Sequence, residues 1–206
     1  MTSSTTDYLP TSTAGRIIGI ARQLFMQRGY RGVSINDIVQ AAEVTKPTLY
    51  YHFADKEDLY AQMALQMLRE LHERVAAAMG DRATTAARLT AMADVMLNSS
   101  DGDTRMMQHE IREYLRPELQ QQIGEAFYAH MFAPLVAEMQ RGLDRSELSG
   151  FSADQLARLY LAFMEGFFRH TGNSRPHDAP YTTDVFTTET IIGIFMHGAG
   201  HAPAAS

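Results

Sequence analysis

The chain has 206 residues, 45% of them hydrophobic, a formal net charge of −6 and no cysteine. The acidic balance excludes a protein that coats nucleic acid over its whole surface. The missing thiols exclude disulfides and thiolate metal sites, in keeping with a reducing, cytoplasmic setting.

Residues 1–12 are polar and rich in Ser and Thr, which reads as a disordered arm and not as a signal peptide. Residues 14–29 carry Ile17, Ile18, Ala21, Leu24 and Phe25 on one stripe and end at Gly29, so a first helix is expected there. Ile35, Ile38, Val39 and Ala42 repeat at i, i+3, i+4 and i+7, and Ser34 with Asp37 has the spacing of a capping box. After a short turn Thr45 can cap a third helix, and Pro47 falls in its first turn, where a missing N–H costs nothing. Val44, Leu49 and Phe53 then point inward, which leaves Lys46, Thr48, Tyr50, Tyr51 and His52 along an outer face.

Asp55 opens a long helix to about Met79, with Leu59, Met63, Leu71 and Val75 inward. Helices follow over 84–98, 104–115 and 117–142, the last kinked by Pro134. Ser152 and Gln155 form a capping box opening 153–171, where Leu156, Leu159, Tyr160, Phe163, Met164, Phe167 and Phe168 make a wide apolar face. A last helix is expected over 183–197, with Val185, Ile192, Phe195 and Met196 at helical spacing, and a flexible tail over 198–206. No segment alternates as a strand, and no apolar run approaches the length of a membrane span. The fold class is therefore all-α.

Two short helices joined by a tight turn, the second with donors and aromatic hydroxyls outward, read as a helix-turn-helix. Such side chains suit phosphate oxygens and major-groove base edges. Charge is divided accordingly. Residues 1–56 hold six Lys/Arg against four acids, whereas residues 57–206 hold twelve against twenty. The first part can meet phosphate while the second repels it, so affinity should come from few phosphate contacts per subunit and from pairing of subunits.

Residues 14–60 resemble the N-terminal DNA-binding domain of the TetR (tetracycline-repressor) family. The resemblance is carried by Leu24-Phe25-Met26-Gln27-Arg28-Gly29-Tyr30, Val33-Ser34-Ile35-Asn36-Asp37-Ile38, Lys46-Pro47-Thr48-Leu49-Tyr50-Tyr51-His52-Phe53 and Lys56-Glu57-Asp58-Leu59. Glu43 departs from the family pattern, which usually has glycine there, so the resemblance implies a left-handed backbone at this residue. The resemblance implies a three-helix reader domain over 13–60, followed over 61–197 by a larger helical domain for ligand binding and dimerisation. It implies DNA contacts from Ser34, Lys46, Pro47, Thr48, Tyr50, Tyr51, His52 and Lys56, with Arg31 in reach of the backbone. Its partners would be double-stranded operator DNA, an unidentified small-molecule effector and a second copy of the chain, with no cofactor and no membrane.

Eleven of the thirteen methionines and thirteen aromatics lie beyond residue 56, and methionine is common at adaptable binding surfaces. Met92, Met96, Met107, Tyr114, Phe127, His130, Met131 and Phe163 are candidates to line a pocket beside Pro134, with His109 or His130 as polar anchors. Leu156, Tyr160, Phe163, Phe167, Ile192 and Phe195 are the expected dimer surface, since the apolar face is wider than one helix needs. Against catalysis, His109-Glu110 and His72-Glu73 form no His-Glu-x-x-His, and there is neither a nucleophile elbow nor a glycine-rich phosphate loop. The expectation is a regulator, a repressor released from its operator by an effector. The competing readings are a helical ligand-binding protein that no longer reads DNA, and a helical enzyme.

Overall fold

The computed structural model describes residues 12–97, 104–171 and 187–199, and among them every regular element is helical. The elements are α1 (Thr13–Arg28), α2 (Ile35–Ala41), α3 (Lys46–His52), α4 (Lys56–Met79), α5 (Thr85–Leu97), α6 (Thr104–Tyr114) and α7 (Pro117–Phe127). A five-residue π-helical turn, Tyr128–Phe132, leads into α8 (Ala133–Asp144), followed by α9 (Ala153–Thr171) and α10 (Thr188–Ala199). The expected arm before Ser12 and the tail beyond Ala199 lie outside the described residues, as does the expected start of the last helix at 183–186.

The described residues divide into two compact units. One holds residues up to Arg69 together with Asp101–Phe127. The other holds Glu70–Ser100 and Tyr128 onward. The first unit is thus larger than the expected reader domain of 13–60, because α6 and α7 supply Met107, Ile111, Leu115, Leu119 and Ile123 to one core shared with α1–α4. At its centre Phe25, Leu49, Phe53, Leu59, Tyr60 and Met63 are fully buried. Phe25 meets the Tyr60 ring edge-on at 4.9 Å, and Tyr30 stacks on Tyr114 at 5.4 Å.

Local sequence sets the helix ends of this unit. Ser12 accepts the Gly15 N–H at 3.0 Å and caps α1. Gly29 ends it with φ +69°, and a side chain there would sit 2.8 Å from Glu110 Oε1, so both conformation and space require glycine. The capping box at α2 is formed: the Ser34 N–H donates to Asp37 Oδ2 at 2.7 Å, and the Asp37 N–H donates to Ser34 Oγ at 3.2 Å.

In the second unit α8 packs on α9 and α5, and α10 packs on α5 and α9. The sequence predicts one kinked helix over 117–142; three consecutive pieces are found instead. The physical reason lies at Pro134. Its ring nitrogen cannot donate to the carbonyl four residues back, that of His130. The helix widens into a π turn just before the proline. The released His130 carbonyl is taken by His72 Nδ1, 2.6 Å away.

The expected dimer surface needs correction on four of its residues. Leu156, Tyr160, Ile192 and Phe195 are buried within the chain. The Tyr160 hydroxyl donates to the Leu89 carbonyl at 2.8 Å, and its ring meets Phe195 edge-on at 5.6 Å. The apolar face of α9 is wide because it covers α5, α8 and α10 of the same chain. Among the described side chains, the large apolar ones left outward on this pair are Leu159 and Ile194, each about half exposed. Phe163 is half-buried, 6.3 Å from the Phe195 ring, and the Phe167 side chain lies outside those described.

Candidate functional site

The helix-turn-helix is built by α2 and α3. Ile38 and Ala42 from the first and Leu49 from the second, with Phe53 just beyond it, enter the core. Thr45 caps α3 by accepting the Thr48 N–H at 3.3 Å, with Pro47 in the first turn. Fixing Leu49 inward turns the neighbouring positions out. Lys46 and Pro47 are exposed, and Tyr50 and Tyr51 show 50% and 83% of their surface. The His52 ring packs edge-on against Tyr51 at 5.0 Å. A helix bearing two such tyrosines would be unfavourable as plain solvated surface.

Not every expected contact residue is equally open. Thr48 is half-buried, its hydroxyl 2.8 Å from that of Thr45. The Ser34 hydroxyl donates to Asp37 Oδ2 at 2.6 Å while accepting the Asp37 N–H, so both of its roles are occupied by the cap. These bonds hold the Asp37 carboxyl below its ordinary pKa. Lys56 is more constrained. Its ammonium donates to the Tyr30 carbonyl and lies 4.1 Å from the centre of the Tyr30 ring. Burial lowers its pKa, against the opposing pull of Glu110 and Asp37. Lys56 therefore closes the loop after α1, which leaves only its remaining ammonium protons for any other acceptor.

The turn residue Glu43 has φ +52°, the expected left-handed backbone. That conformation costs a non-glycine residue about 1–2 kcal/mol, while glycine would add about 0.4–1 kcal/mol of unfolded-chain entropy. Glu43→Gly should therefore raise stability by roughly 0.5–1 kcal/mol. An unchanged or lowered midpoint in urea unfolding would contradict this.

Sequence reasoning passed over the polar centre of this unit. Glu110 on α6 is 6% exposed and carries two bonds across the core: it accepts the Tyr30 N–H and the Tyr60 hydroxyl, each at 2.7 Å. Burial, then the neighbouring carboxylate, pushes the Tyr60 phenol far above its ordinary pKa. Tyr30 is pushed up to about 12, by burial first and then by the charges of Glu57 and Asp55. Glu110 stands out in the sequence only as the acid beside His109. A single carboxylate on an otherwise amphipathic helix gives no sign of what it faces.

The second unit contains a cavity of about 210 Å³. His72, Val75, Ala76 and Met79 line it from α4, at i, i+3, i+4 and i+7, and Arg88 and Met92 from α5. Gly80, just past α4, and His130, Met131, Pro134, Leu135 and Arg141 from the π turn and α8 complete it. Of the expected lining residues, Met92, His130 and Met131 are brought together here. Met107 and Tyr114 belong to the core of the first unit, where Tyr114 stacks on Tyr30. His109 and Phe127 are exposed on α6 and α7, Met96 is half-buried on α5, and Phe163 faces Phe195. Methionine content alone could not separate the core of one unit from the cavity of the other.

Residues 17–63 match the family of bacterial regulatory proteins known as the tetR family. The HTH-type transcriptional regulator QacR of Staphylococcus aureus is 40% identical over 48 residues, 23% of this chain and 26% of that protein. The HTH-type transcriptional repressor KstR2 of Rhodococcus jostii is 29% identical over 106 residues, 50% of this chain and 52% of its own. The matched stretch thus spans about a quarter of QacR and half of KstR2. Reduced NemR of E. coli shares the fold with a TM-score of 0.74 at 20% identity, over 94% of this chain and all of that one. No helix among the described residues is long and apolar enough to cross a membrane. The capped α2–α3 pair and its outward tyrosines lie within the stretch, residues 17–63, that matches the tetR family of bacterial regulatory proteins.

Proposed function

We propose that the protein is a ligand-responsive transcriptional regulator that binds double-stranded operator DNA as a homodimer and is released from it by a small-molecule effector. The observation that carries this reading is α3: Leu49 is fully buried, while Lys46, Tyr50 and Tyr51 of the same helix face out. Lys46, Tyr50 and His52 are the contacts to base edges and backbone, with Pro47, Thr48 and Tyr51 alongside. Lys56 offers phosphate the protons that its bond to Tyr30 leaves over, whereas Ser34 would have to give up a bond to Asp37 to donate to one. A two-fold pair presents two such helices to successive major grooves. Among the described side chains, Leu159 and Ile194 are large outward apolar groups of α9 and α10 that would meet a second copy.

Coupling runs along α4, a single helix from Lys56 to Met79. It gives Leu59, Tyr60 and Met63 to one core and His72, Val75 and Met79 to the lining of the cavity. An effector moves this helix only to the extent that it binds one arrangement more tightly than the other.

Tyr50→Ala and Lys46→Ala are each expected to weaken specific DNA binding by roughly tenfold or more, about 1–3 kcal/mol. Both variants should keep the helical circular dichroism and the sedimentation behaviour of the parent. Operator affinity in a gel-shift assay that matches the parent would refute the assignment. The alternative, a helical ligand-binding protein without DNA reading, predicts that parent and variants alike show only weak, salt-sensitive retention.

A further inference from the structure

Beyond residue 56 the chain carries eight more acids than bases. Yet the cavity of the second unit has no carboxylate in its lining, which consists of two arginines, two histidines and otherwise Val, Ala, Met, Gly, Pro and Leu. The nearby acids are already engaged. Glu138, fully buried, pairs through Oε2 with the guanidinium of Arg141. Its Oε1 stays 3.9 Å from Arg88 Nε, beyond hydrogen-bond reach. Glu147 accepts the Thr85 N–H at 2.6 Å. One carboxylate thus faces two guanidinium groups and leaves a surplus positive charge at the cavity.

That surplus sits on Arg88. Among the described residues its hydrogen bonding engages only Nε, which donates to the Arg82 carbonyl at 2.8 Å. Its two terminal nitrogens remain for a ligand, with the forked geometry that suits a carboxylate. His72 is oriented as well. A carbonyl can only accept, so Nδ1 carries the proton donated to the His130 carbonyl, and Nε2 is left at the free edge of the ring. The same lining supplies apolar surface from Met92, Met131 and Leu135. Drug-sized ligands occupy about 300–1,000 Å³; about 210 Å³ suits something smaller.

We infer that this cavity takes a small amphipathic monoanion, a carboxylate on a short apolar body, with its head on Arg88 and its body against Met92, Met131 and Leu135. The inference rests on the effector reading above and names the chemistry of the effector. Calorimetric titration of the full chain in the absence of DNA tests it, with octanoate, 1-octanol and octylamine as probes. Octanoate should bind, and the alcohol and the amine should bind at least roughly tenfold more weakly. Arg88→Gln should lose roughly tenfold or more in octanoate affinity, and Arg88→Lys, which keeps the charge without the fork, should lose less. The ranking of the three probes on the parent protein stands even if a variant fails to fold. Equal binding of octylamine or octanol, no binding of any probe, or undiminished octanoate binding by a folded Arg88→Gln would each overturn the inference. None of these outcomes touches DNA binding, so they are distinguishable from failure of the regulator reading.

Discussion

Phe25→Ala is expected to destabilise the N-terminal unit by about 3–5 kcal/mol, the usual range for emptying a fully buried phenylalanine site. Phe25 has no exposed surface, and it touches more than one layer. Its ring lies 5.9 Å from Tyr30 in a stacked arrangement, 4.9 Å from Tyr60 edge-on and 5.9 Å from the Lys56 ammonium. Losing it opens a cavity between the end of α1 and the start of α4, in the core that α3 joins through Leu49. Since whole domains are stable by only about 5–15 kcal/mol, a large share of the variant should be unfolded under mild urea. Phe25→Leu retains most of the volume and should lose much less. Urea unfolding followed by circular dichroism measures both; a midpoint for Phe25→Ala close to that of the parent would contradict the packing described.

The second large effect is expected at Glu110. Glu110→Ala leaves the Tyr30 N–H and the Tyr60 hydroxyl without their acceptor, and hydrogen bonds to a buried charge are worth about 1.5–3 kcal/mol each. A loss of roughly 2–4 kcal/mol follows, allowing for incomplete additivity. Glu110→Gln is the informative control. Its amide oxygen can still accept the Tyr30 N–H, and its amino group can donate to a reoriented Tyr60 hydroxyl, so the loss should be about 1 kcal/mol. The Tyr60 phenol adds a local readout. The carboxylate reinforces burial in holding its pKa up, so Glu110→Ala should lower the pH at which this phenol ionises in an ultraviolet titration. Equal stability of the alanine and glutamine variants would show that the two bonds are not what Glu110 provides.

Legibility differed sharply between local and distant features. Capping at Ser34, Thr45 and Ser152 and the inward set Leu49 and Phe53 follow from a few neighbouring residues, and each is found; the left-handed backbone of Glu43 follows from the family resemblance, and it too is found. The outward face of α3 follows in turn, because a helix with one side buried has its other side fixed. Features that depend on which helix meets which were not legible. The apolar face of α9 suggested a second subunit, but much of it is filled by α5, α8 and α10 of the same chain. Met107 and Met92 look alike in the sequence, yet one lies in the reader's core and the other in the cavity. Pro134 did announce a break. That His72 would supply the missing donor, 58 residues away, was not written in the local pattern.

The tie at Arg116 has a practical corollary for anyone recombining this protein. Its backbone N–H donates to Glu57 at 2.7 Å and its guanidinium to Asp55 at 2.9 Å, so the two acids around the start of α4 are neutralised from the α6–α7 junction. A chimera that grafts residues 13–60 onto a foreign sensor would uncover both acids and strip the aromatic cluster of Tyr114 and Glu110. The transplantable cassette is the discontinuous one, with the segment 104–127 carried along.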